Sequence, residues 1–366
     1  MVKWPVVTVL ALLVVACGAR NRLDAIEAKE TGPPADAWAP PPARDAHPPS
    51  LSPPDADAPS APIGDAAQVI PPPSDPCDAL PSVSGRWTVV PVPVPATETI
   101  SDVFPVSSTD AWITTSTGKV LRWNGREWRI VTSRSSAWLG SVWVTGDDGW
   151  IAAEQVLLRW NGAAWSEHSS FNLDGFGRIS TVWGTSPTDV WLGGGAGPNR
   201  RILAHWDGKS WIRTDESAGT QVLQIAGTAR NGLWAVAHLG QVLRLDGGIW
   251  SSVEPPAGST ITGLWVAAPD EVWFAAFGST GGGQVHWLRQ GSWETFVPSG
   301  ADYYYAVWGS SPSDVWAVGI SAAHWDGTLW SSVALPTKAS LNRIRSTCRL
   351  DLWTVEDSDT ALHYGP

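Results

Sequence analysis

A repeat that closes on tryptophan constrains the fold of this chain more than any other feature. Seven segments end in Trp, and the closing tryptophans follow one another at intervals of about 37 to 43 residues. They are Trp112, Trp150, Trp191, Trp234, Trp273, Trp316 and Trp353. A period of this length is typical of repeated four-stranded units, each of which buries its apolar face against its neighbours. We therefore expect seven units of one kind from residue 85 onward.

A second motif follows the closing tryptophan and predicts a tight hairpin. In LRWNGREWRI (121–130) and AHWDGTLWSS (323–332), two tryptophans flank Asn-Gly or Asp-Gly. Gly supplies the positive φ of a tight turn, and the Asn or Asp side chain accepts hydrogen bonds from the turn backbone. With the β-rich runs before it, this motif gives each unit the pattern of four strands. The sequence therefore predicts an all-β fold, a seven-bladed β-propeller with aromatic side chains between neighbouring blades.

The two ends of the repeat predict how the ring closes. The seventh unit stops after His363-Tyr364-Gly365, which match a third strand and the start of its turn. The segment SGRWTVVPV (84–92) supplies the missing fourth strand, with Trp87 in the place of the outer-strand tryptophan. Closure by an N-terminal strand removes the free sheet edges that invite aggregation. We expect the propeller to occupy residues 83–366.

The N-terminal residues predict export and a lipid anchor. Residues 1–16 combine a positive residue with an apolar run that is too short to span a bilayer. The run Val14-Val15-Ala16-Cys17 resembles the bacterial lipobox, which implies a lipoprotein signal peptide and acylation of Cys17. Gly18 in place of Asp implies the outer membrane of a bacterial cell envelope. An ordinary cleaved signal peptide followed by an incidental cysteine is the alternative.

The segment between the signal and the repeat has a different composition. Residues 17–82 are rich in Pro, Ala and Asp and offer little apolar surface to bury. Such a segment cannot offset its own ordering entropy, so we expect a disordered tether that holds the propeller away from the membrane. The net charge of −11 at pH 7 argues against nucleic acid as a partner, since that surface requires basic groups.

Two cysteines remain once Cys17 carries lipid. Cys77 lies just before the proposed closing strand, and Cys348 lies in the first turn of the blade which that strand completes. In an oxidising compartment an even pair favours a disulfide. We therefore expect a bond between Cys77 and Cys348 that fixes the N-terminal strand to the last blade. Two unpaired buried cysteines are the alternative.

The paired motifs carry a family resemblance. VWGSSPSDVWAVG (307–319) and HWDGTLW (324–330) resemble the Trp-rich repeats of secreted myxobacterial proteins, which are related in style to the BNR or Asp-box propellers. The resemblance covers about residues 85–366 and implies the fold, but repeats of this style occur in hydrolases and in binding modules alike. The fourth unit departs from the pattern, because Ala226 and Leu245 stand where Trp is usual. The fifth has RQG in place of Asp-Gly.

The polar residues of the repeat do not form a predicted catalytic or metal site. A sialidase-like centre would need clustered arginines, whereas Arg122, Arg159 and Arg244 recur at one strand position, which indicates a solvated strand face. Turn capping accounts for the acidic residues before the closing tryptophans, which are Asp110, Asp189, Asp270, Asp314 and Asp351. Four of the seven histidines share one repeat position, namely His205, His286, His324 and His363. Because repeat positions diverge around a ring, we expect no metal and no cofactor.

Binding residues are predicted in the loops that break the repeat. The connections between the second and third strands, and between blades, vary and lie on one face. The candidate ligand-binding residues on that face are Trp138, Phe171, Asp174, Phe176, Asn199, Arg200, Arg201 and Tyr303. Mere coverage of strand ends is the alternative reading of these side chains. The asymmetry of the set favours a protein scaffold over a lectin, which would repeat its aromatics blade by blade.

The sequence therefore predicts a membrane-anchored, extracytoplasmic binding or scaffolding propeller without enzymatic activity. We expect it to act as a monomer and to bind an envelope or extracellular protein or glycan of unknown identity. A carbohydrate-binding lectin or a sialidase-like glycoside hydrolase is the alternative function.

Overall fold

The computed structural model shows a protein built almost entirely of β-strands. It describes residues 85–133, 138–154, 156–168, 177–195, 200–215, 219–228, 232–299, 303–356 and 358–366. A short 3-10 helix at His238–Gly240 is the one helix among these residues. No helix in the described ranges is long and apolar enough to cross a membrane.

The described residues form 28 strands. The first fourteen are β1 Arg86–Pro91, β2 Ile100–Ser107, β3 Asp110–Thr115, β4 Lys119–Trp123, β5 Trp128–Ser133, β6 Leu139–Thr145, β7 Asp148–Ala153, β8 Val156–Trp160, β9 Trp165–Glu167, β10 Arg178–Ser186, β11 Asp189–Gly195, β12 Arg201–Trp206, β13 Trp211–Asp215 and β14 Val222–Gly227. The others are β15 Leu233–Ala237, β16 Val242–Asp246, β17 Ile249–Val253, β18 Ser259–Ala268, β19 Glu271–Gly278, β20 Gly283–Arg289, β21 Ser292–Phe296, β22 Tyr304–Ser311, β23 Asp314–Gly319, β24 Ala322–Trp325, β25 Trp330–Val333, β26 Leu341–Ser346, β27 Leu352–Glu356 and β28 Thr360–Gly365.

These strands form seven antiparallel sheets of four strands each, which we number as blades in chain order. Blade 1 is β2-β3-β4-β5, and the next five blades follow the same order along the chain. The first strand of each blade contacts the first strand of the next, and β26 of blade 7 contacts β2 of blade 1. The first strands therefore surround a common axis. The predicted seven-bladed propeller is confirmed.

Blade 7 shows how the ring closes. Its sheet order is β1-β28-β27-β26, so the N-terminal strand is the outer strand of the last blade. In the antiparallel register, Arg86 pairs with Gly365 and Trp87 pairs with Tyr364. The Trp87 and Tyr364 rings lie 5.3 Å apart and take the place of the tryptophan pair of blades 1, 2, 3 and 6. The predicted closure by Trp87 and its strand is confirmed.

The hairpins between third and fourth strands turn as the Asn-Gly and Asp-Gly pairs predict. Gly125, Gly162, Gly208 and Gly327 have φ between 86° and 93°, a region in which a side chain is strained. The residue before each glycine accepts backbone hydrogen bonds from the turn, as when Asp207 Oδ1 accepts from two N–H groups at 2.8 Å. These hairpins and the turns between first and second strands lie at the same end of the blades. We call this end the hairpin face and the other end the loop face.

The closing tryptophans join neighbouring blades. Trp112 is fully buried and packs against Trp160 and Trp165 of blade 2, with ring centroids 5.0 and 5.5 Å apart. At the seam between blades 7 and 1, Trp353 contacts Trp123 and Trp128, each at 5.2 Å. Edge-on aromatic pairs of this kind contribute about 0.5–1.5 kcal/mol beyond their burial. The expected aromatic contacts between blades are therefore present, including at the seam.

An arginine or histidine side chain on the third strand covers the other face of most closing tryptophans. His205 stacks on Trp191 with centroids 4.4 Å apart, and its Nε2 lies 2.7 Å from Asp189 Oδ1. Arg122 lies 4.8 Å from the centre of the Trp112 ring and pairs with Asp110. The arginines are therefore half-buried ion-pair partners and do not form the solvated face that the sequence suggested. The aspartates bind the neighbouring strand besides capping their turns.

Blade 5 departs from this pattern by one residue. Trp287 pairs with Trp273 and stacks on it at 4.6 Å, in the place that His or Arg holds elsewhere. His286 therefore pairs with Phe274 and points to the opposite side of the sheet, because successive side chains alternate between faces. The prediction that His286 shares the repeat position of the other histidines is wrong. Leu288, not Trp287, takes the place of the outer tryptophan.

Candidate functional site

A ring of seven equivalent side chains surrounds the propeller axis near the hairpin face. Each belongs to a first strand and pairs across its hairpin with a closing tryptophan. In blade order they are Phe104, Trp143, Trp183, Ala226, Trp265, Trp308 and Arg345. We call this set the axial ring. Five of its members are aromatic, and four of those five remain half-exposed, whereas the closing tryptophans are buried.

Glycine lets the aromatic members lie across the neighbouring blade. A Cβ added at Gly184 would lie 2.9 Å from the Trp143 ring, and one at Gly309 would lie 2.7 Å from the Trp265 ring. Real Cβ atoms do not approach so closely, so the glycine of the VWG motif is required for this packing. Trp265 and Trp308 lie next to each other with centroids 6.4 Å apart. The Trp143 and Trp265 rings are thus held against the glycines of the next blades, and Trp265 also lines the cavity on the axis, whereas Trp143 does not.

The axial ring encloses a cavity of about 200 Å³. First strands of six blades contribute to its wall, so the cavity lies on the axis. Ala226 and Gly227 leave a gap between Trp183 and Trp265. Next to the gap, Gln224 Nε2 donates to the Leu264 carbonyl at 3.0 Å, which fixes this amide to the wall. An engineered cavity of about 150 Å³ binds benzene, so this volume suits one side chain or a small ligand.

Arg345 contributes the one charge among the described residues that line this cavity. Its Nη2 lies 3.7 Å from Oδ2 of Asp102, a carboxylate that is 1% exposed. Asp102 also accepts hydrogen bonds from the backbone N–H groups of Val103 and Val142, at 3.0 and 3.1 Å. Arg343 approaches the same carboxylate to 4.0 Å. Two guanidinium groups therefore lie close to the Asp102 carboxylate.

Three of the predicted loop-face residues of blades 1 to 3 are described, namely Trp138, Arg200 and Arg201. Trp138 is half-buried, and the Arg178 guanidinium lies 3.5 Å above its ring, the shortest cation–π distance in the described structure. Burial lowers the pKa of Arg178. Arg201 is buried and donates to Gln241 Oε1 at 3.3 Å, whereas Arg200 is exposed. Arg201 therefore has a partner within the fold.

Of the other predicted binding residues, only Tyr303 lies within the described residues. Tyr303 lies between blades 5 and 6 and contacts Phe277 at 5.6 Å. Phe171, Asp174, Phe176 and Asn199 lie outside the described residues. No described contact joins Tyr303 to Trp138. A single binding patch on the loop face thus stays a prediction.

One cysteine lies within the described residues. Cys348 is buried and disulfide-bonded, and its partner lies outside the described residues. Cys77 as that partner, and lipidation of Cys17, stay predictions because both residues fall outside the described ranges. Among the described residues, no three His, Cys, Asp or Glu side chains are grouped so that they could hold a metal ion.

Sequence reasoning missed the axial ring because it assigned nearly all tryptophans to the packing between blades. A signal was nevertheless present. The closing position is Trp in all seven units, but the axial position is Trp in four and Phe, Ala or Arg in the other three. Where the residue type varies inside a strict repeat, packing alone does not determine it. This variation identifies the axial ring as the place where the blades differ in chemistry.

The chain is similar to known proteins in fold. No protein family profile and no curated protein matches it. Among solved structures, YCF48 bound to D1 peptide is 16% identical with a TM-score of 0.64, over 76% of this chain and 97% of that one. A streptogramin B lyase is 13% identical with a TM-score of 0.64, over 77% and 98% of the two chains. The extracellular domain of the putative one-component system BT4673 from B. thetaiotaomicron is 13% identical with a TM-score of 0.56, over 76% and 39%. Identities this low show the fold alone, and the resemblance to myxobacterial repeats stays a prediction.

Proposed function

We propose that this propeller is a binding module that captures a peptide segment of a partner protein at the axial ring. The carrying observation is the set of half-exposed aromatic side chains around a cavity of about 200 Å³. Concave sites with apolar walls and a few polar groups are typical of ligand binding. Tryptophan and arginine are also the residues that dominate binding energy at protein interfaces.

The asymmetry of the ring favours a peptide over a repeated glycan. A multivalent lectin would present the same chemistry from each blade, whereas blades 4 and 7 contribute Ala226 and Arg345 to an otherwise aromatic ring. A single asymmetric site suits one segment held in one direction. The related fold of YCF48 has been solved with a D1 peptide bound, which supports peptide capture by a propeller of this shape. The likeness to the streptogramin B lyase is one of fold alone, and it does not support a proposal of enzymatic activity for this chain.

We also propose that the protein is a lipoprotein of the bacterial envelope, anchored through Cys17 and the tether. The strand β1 begins at Arg86 opposite Gly365, at the hairpin face. The preceding chain therefore joins the domain on the face that carries the axial ring. Cys17→Ser should abolish incorporation of a clickable fatty acid and release the protein from the membrane fraction. Equal labelling of the wild type and the variant would contradict the anchor.

Peptide binding is tested with the full chain in detergent micelles on two arrays, one of capped random peptides and one of glycans. Wild-type protein should bind peptides, and Trp308→Ala should weaken binding by about tenfold, the effect of losing one aromatic anchor. Ile249→Ala is the matched control, because Ile249 is 73% exposed on the outer strand of blade 4. Binding to glycans alone, or equal loss in both variants, would overturn the proposal.

A further inference from the structure

The ligand chemistry of the axial ring follows from the one member of the ring that is charged. Arg345 stands where the other six blades have an aromatic residue or Ala. Its side chain is 19% exposed and lines the cavity. A guanidinium in this position is costly to bury unless it binds an anion. The protein carries a net charge of −11, so a basic group at its axis runs against the overall charge.

The hydrogen-bonding capacity of Arg345 is not used by the fold. Its Nε–H is buried without a hydrogen-bond partner in the described structure. The contact from Nη2 to Asp102 is 3.7 Å, which is an ion pair beyond hydrogen-bond distance. Asp102 meanwhile accepts from two backbone N–H groups and faces Arg343 as well. The planar fork of Arg345 therefore retains donors for a ligand.

The side of the axial ring opposite Arg345 leaves space in the cavity for a ligand. Ala226 lies in blade 4, three blades away from Arg345, which is the largest separation that seven blades allow. Trp at this position would fill the gap between Trp183 and Trp265. With Ala there, the cavity keeps about 200 Å³ open between the blade 4 side of the ring and the guanidinium.

We propose that Arg345 determines specificity by binding the side-chain carboxylate of an Asp or Glu in an extended peptide, whose apolar neighbours lie over Trp265 and Trp308. This inference rests on the peptide-binding function proposed above. An arginine binds a carboxylate through two parallel N–H···O bonds, which fix direction as well as charge.

The test uses three libraries of pentapeptides against the full chain in detergent micelles. The first has a central Glu and blocked ends, the second has a central Gln and blocked ends, and the third has a central Gln and a free C-terminus. We expect wild-type protein to prefer the first library over the second by about tenfold. Arg345→Gln should abolish this preference. Arg345→Lys should keep part of it, because Lys retains the charge but loses the fork.

Two further measurements cover the case in which Arg345→Gln does not fold. The first is the melting temperature of each variant, which shows whether it is folded. Ala226→Trp leaves Arg345 and Asp102 untouched, and it should abolish binding of the first library by filling the cavity. Unchanged binding by Ala226→Trp would overturn the inference.

The remaining outcomes separate the inference from the function on which it rests. Equal binding of the first and second libraries would overturn the role of the carboxylate while peptide binding stands. Binding of the third library alone would assign the site to a chain terminus and overturn the side-chain assignment. Absence of binding by every library would overturn the proposed function itself.

Discussion

Acid should destabilise this propeller through His286 before its carboxylates are protonated. The side chain is fully buried in blade 5, and burial lowers its pKa from 6.5 to about 4. Its Nδ1 lies 2.9 Å from the Thr295 hydroxyl, and its Nε2 has no partner in the described structure. A proton on the folded-state imidazole would therefore place a charge in a site that offers no anion.

The sign and size of the effect follow from linkage. Between about pH 6.5 and pH 4 the unfolded histidine binds a proton that the folded one excludes, so stability falls as the pH is lowered. The loss amounts to roughly 2–3 kcal/mol between pH 7.5 and pH 4.5 and approaches about 3 kcal/mol once the folded state also titrates. For a domain with about 5–15 kcal/mol of total stability, this is a substantial fraction.

Urea denaturation at pH 7.5 and pH 4.5 measures the effect. His286→Phe removes the titrating group, so the variant should lose roughly 2–3 kcal/mol less than wild type over this interval. Thr295→Val is the control: it removes the hydroxyl partner, keeps the imidazole, and should retain the wild-type dependence on pH. Parallel pH dependence of wild type and His286→Phe would refute the assignment of acid sensitivity to this residue.

Three further predictions concern the closure of the ring. Deletion of residues 83–92 should expose the edge of β28 and give aggregated or protease-sensitive protein, and a deletion variant that melts like the intact chain would contradict this role of β1. Trp353→Ala should lower the free energy of unfolding in urea by about 3–5 kcal/mol, since Trp353 is fully buried at the seam between blades 7 and 1. A loss below about 1 kcal/mol would show that the packing of Trp353 contributes little to the stability of the closed ring. Cys77→Ser and Cys348→Ser should each destabilise by up to about 5 kcal/mol, with no added loss in the double variant, because a disulfide between them closes a loop of roughly 270 residues. Additive effects, or a Cys348 peptide linked elsewhere in mass spectra of non-reduced protein, would refute that pairing.

The fold could be predicted from the sequence because its determinants are local and repeated. A tight turn needs positive φ, which makes Asn-Gly and Asp-Gly visible, and Trp at a fixed spacing marks each blade. The closing strand was also predictable, since Trp87 supplies the one aromatic residue that the seventh unit lacks. These signals depend on residue type and spacing alone.

The register of blade 5 shows what spacing cannot predict. In the sequence His286 precedes Trp287, as His324 precedes Trp325, so the two histidines look equivalent. The strand in blade 5 is shifted by one residue, and a shift of one residue moves every side chain to the other face of the sheet. The result is a buried histidine in place of an ion-paired one, and only the pairing of the strands reveals it.

The candidate site was hidden for a related reason. In the sequence Trp265 and Trp273 differ little, yet one faces the axis and the other is fully buried between blades. The division matters for function, because stability rests mainly on the closing tryptophans and the side chains that cover them. Four of the five aromatic axial residues stay half-exposed, and the ring is closed although Ala226 and Arg345 stand at two of its positions. A propeller built in this way can acquire a new ligand by changing one axial residue per blade.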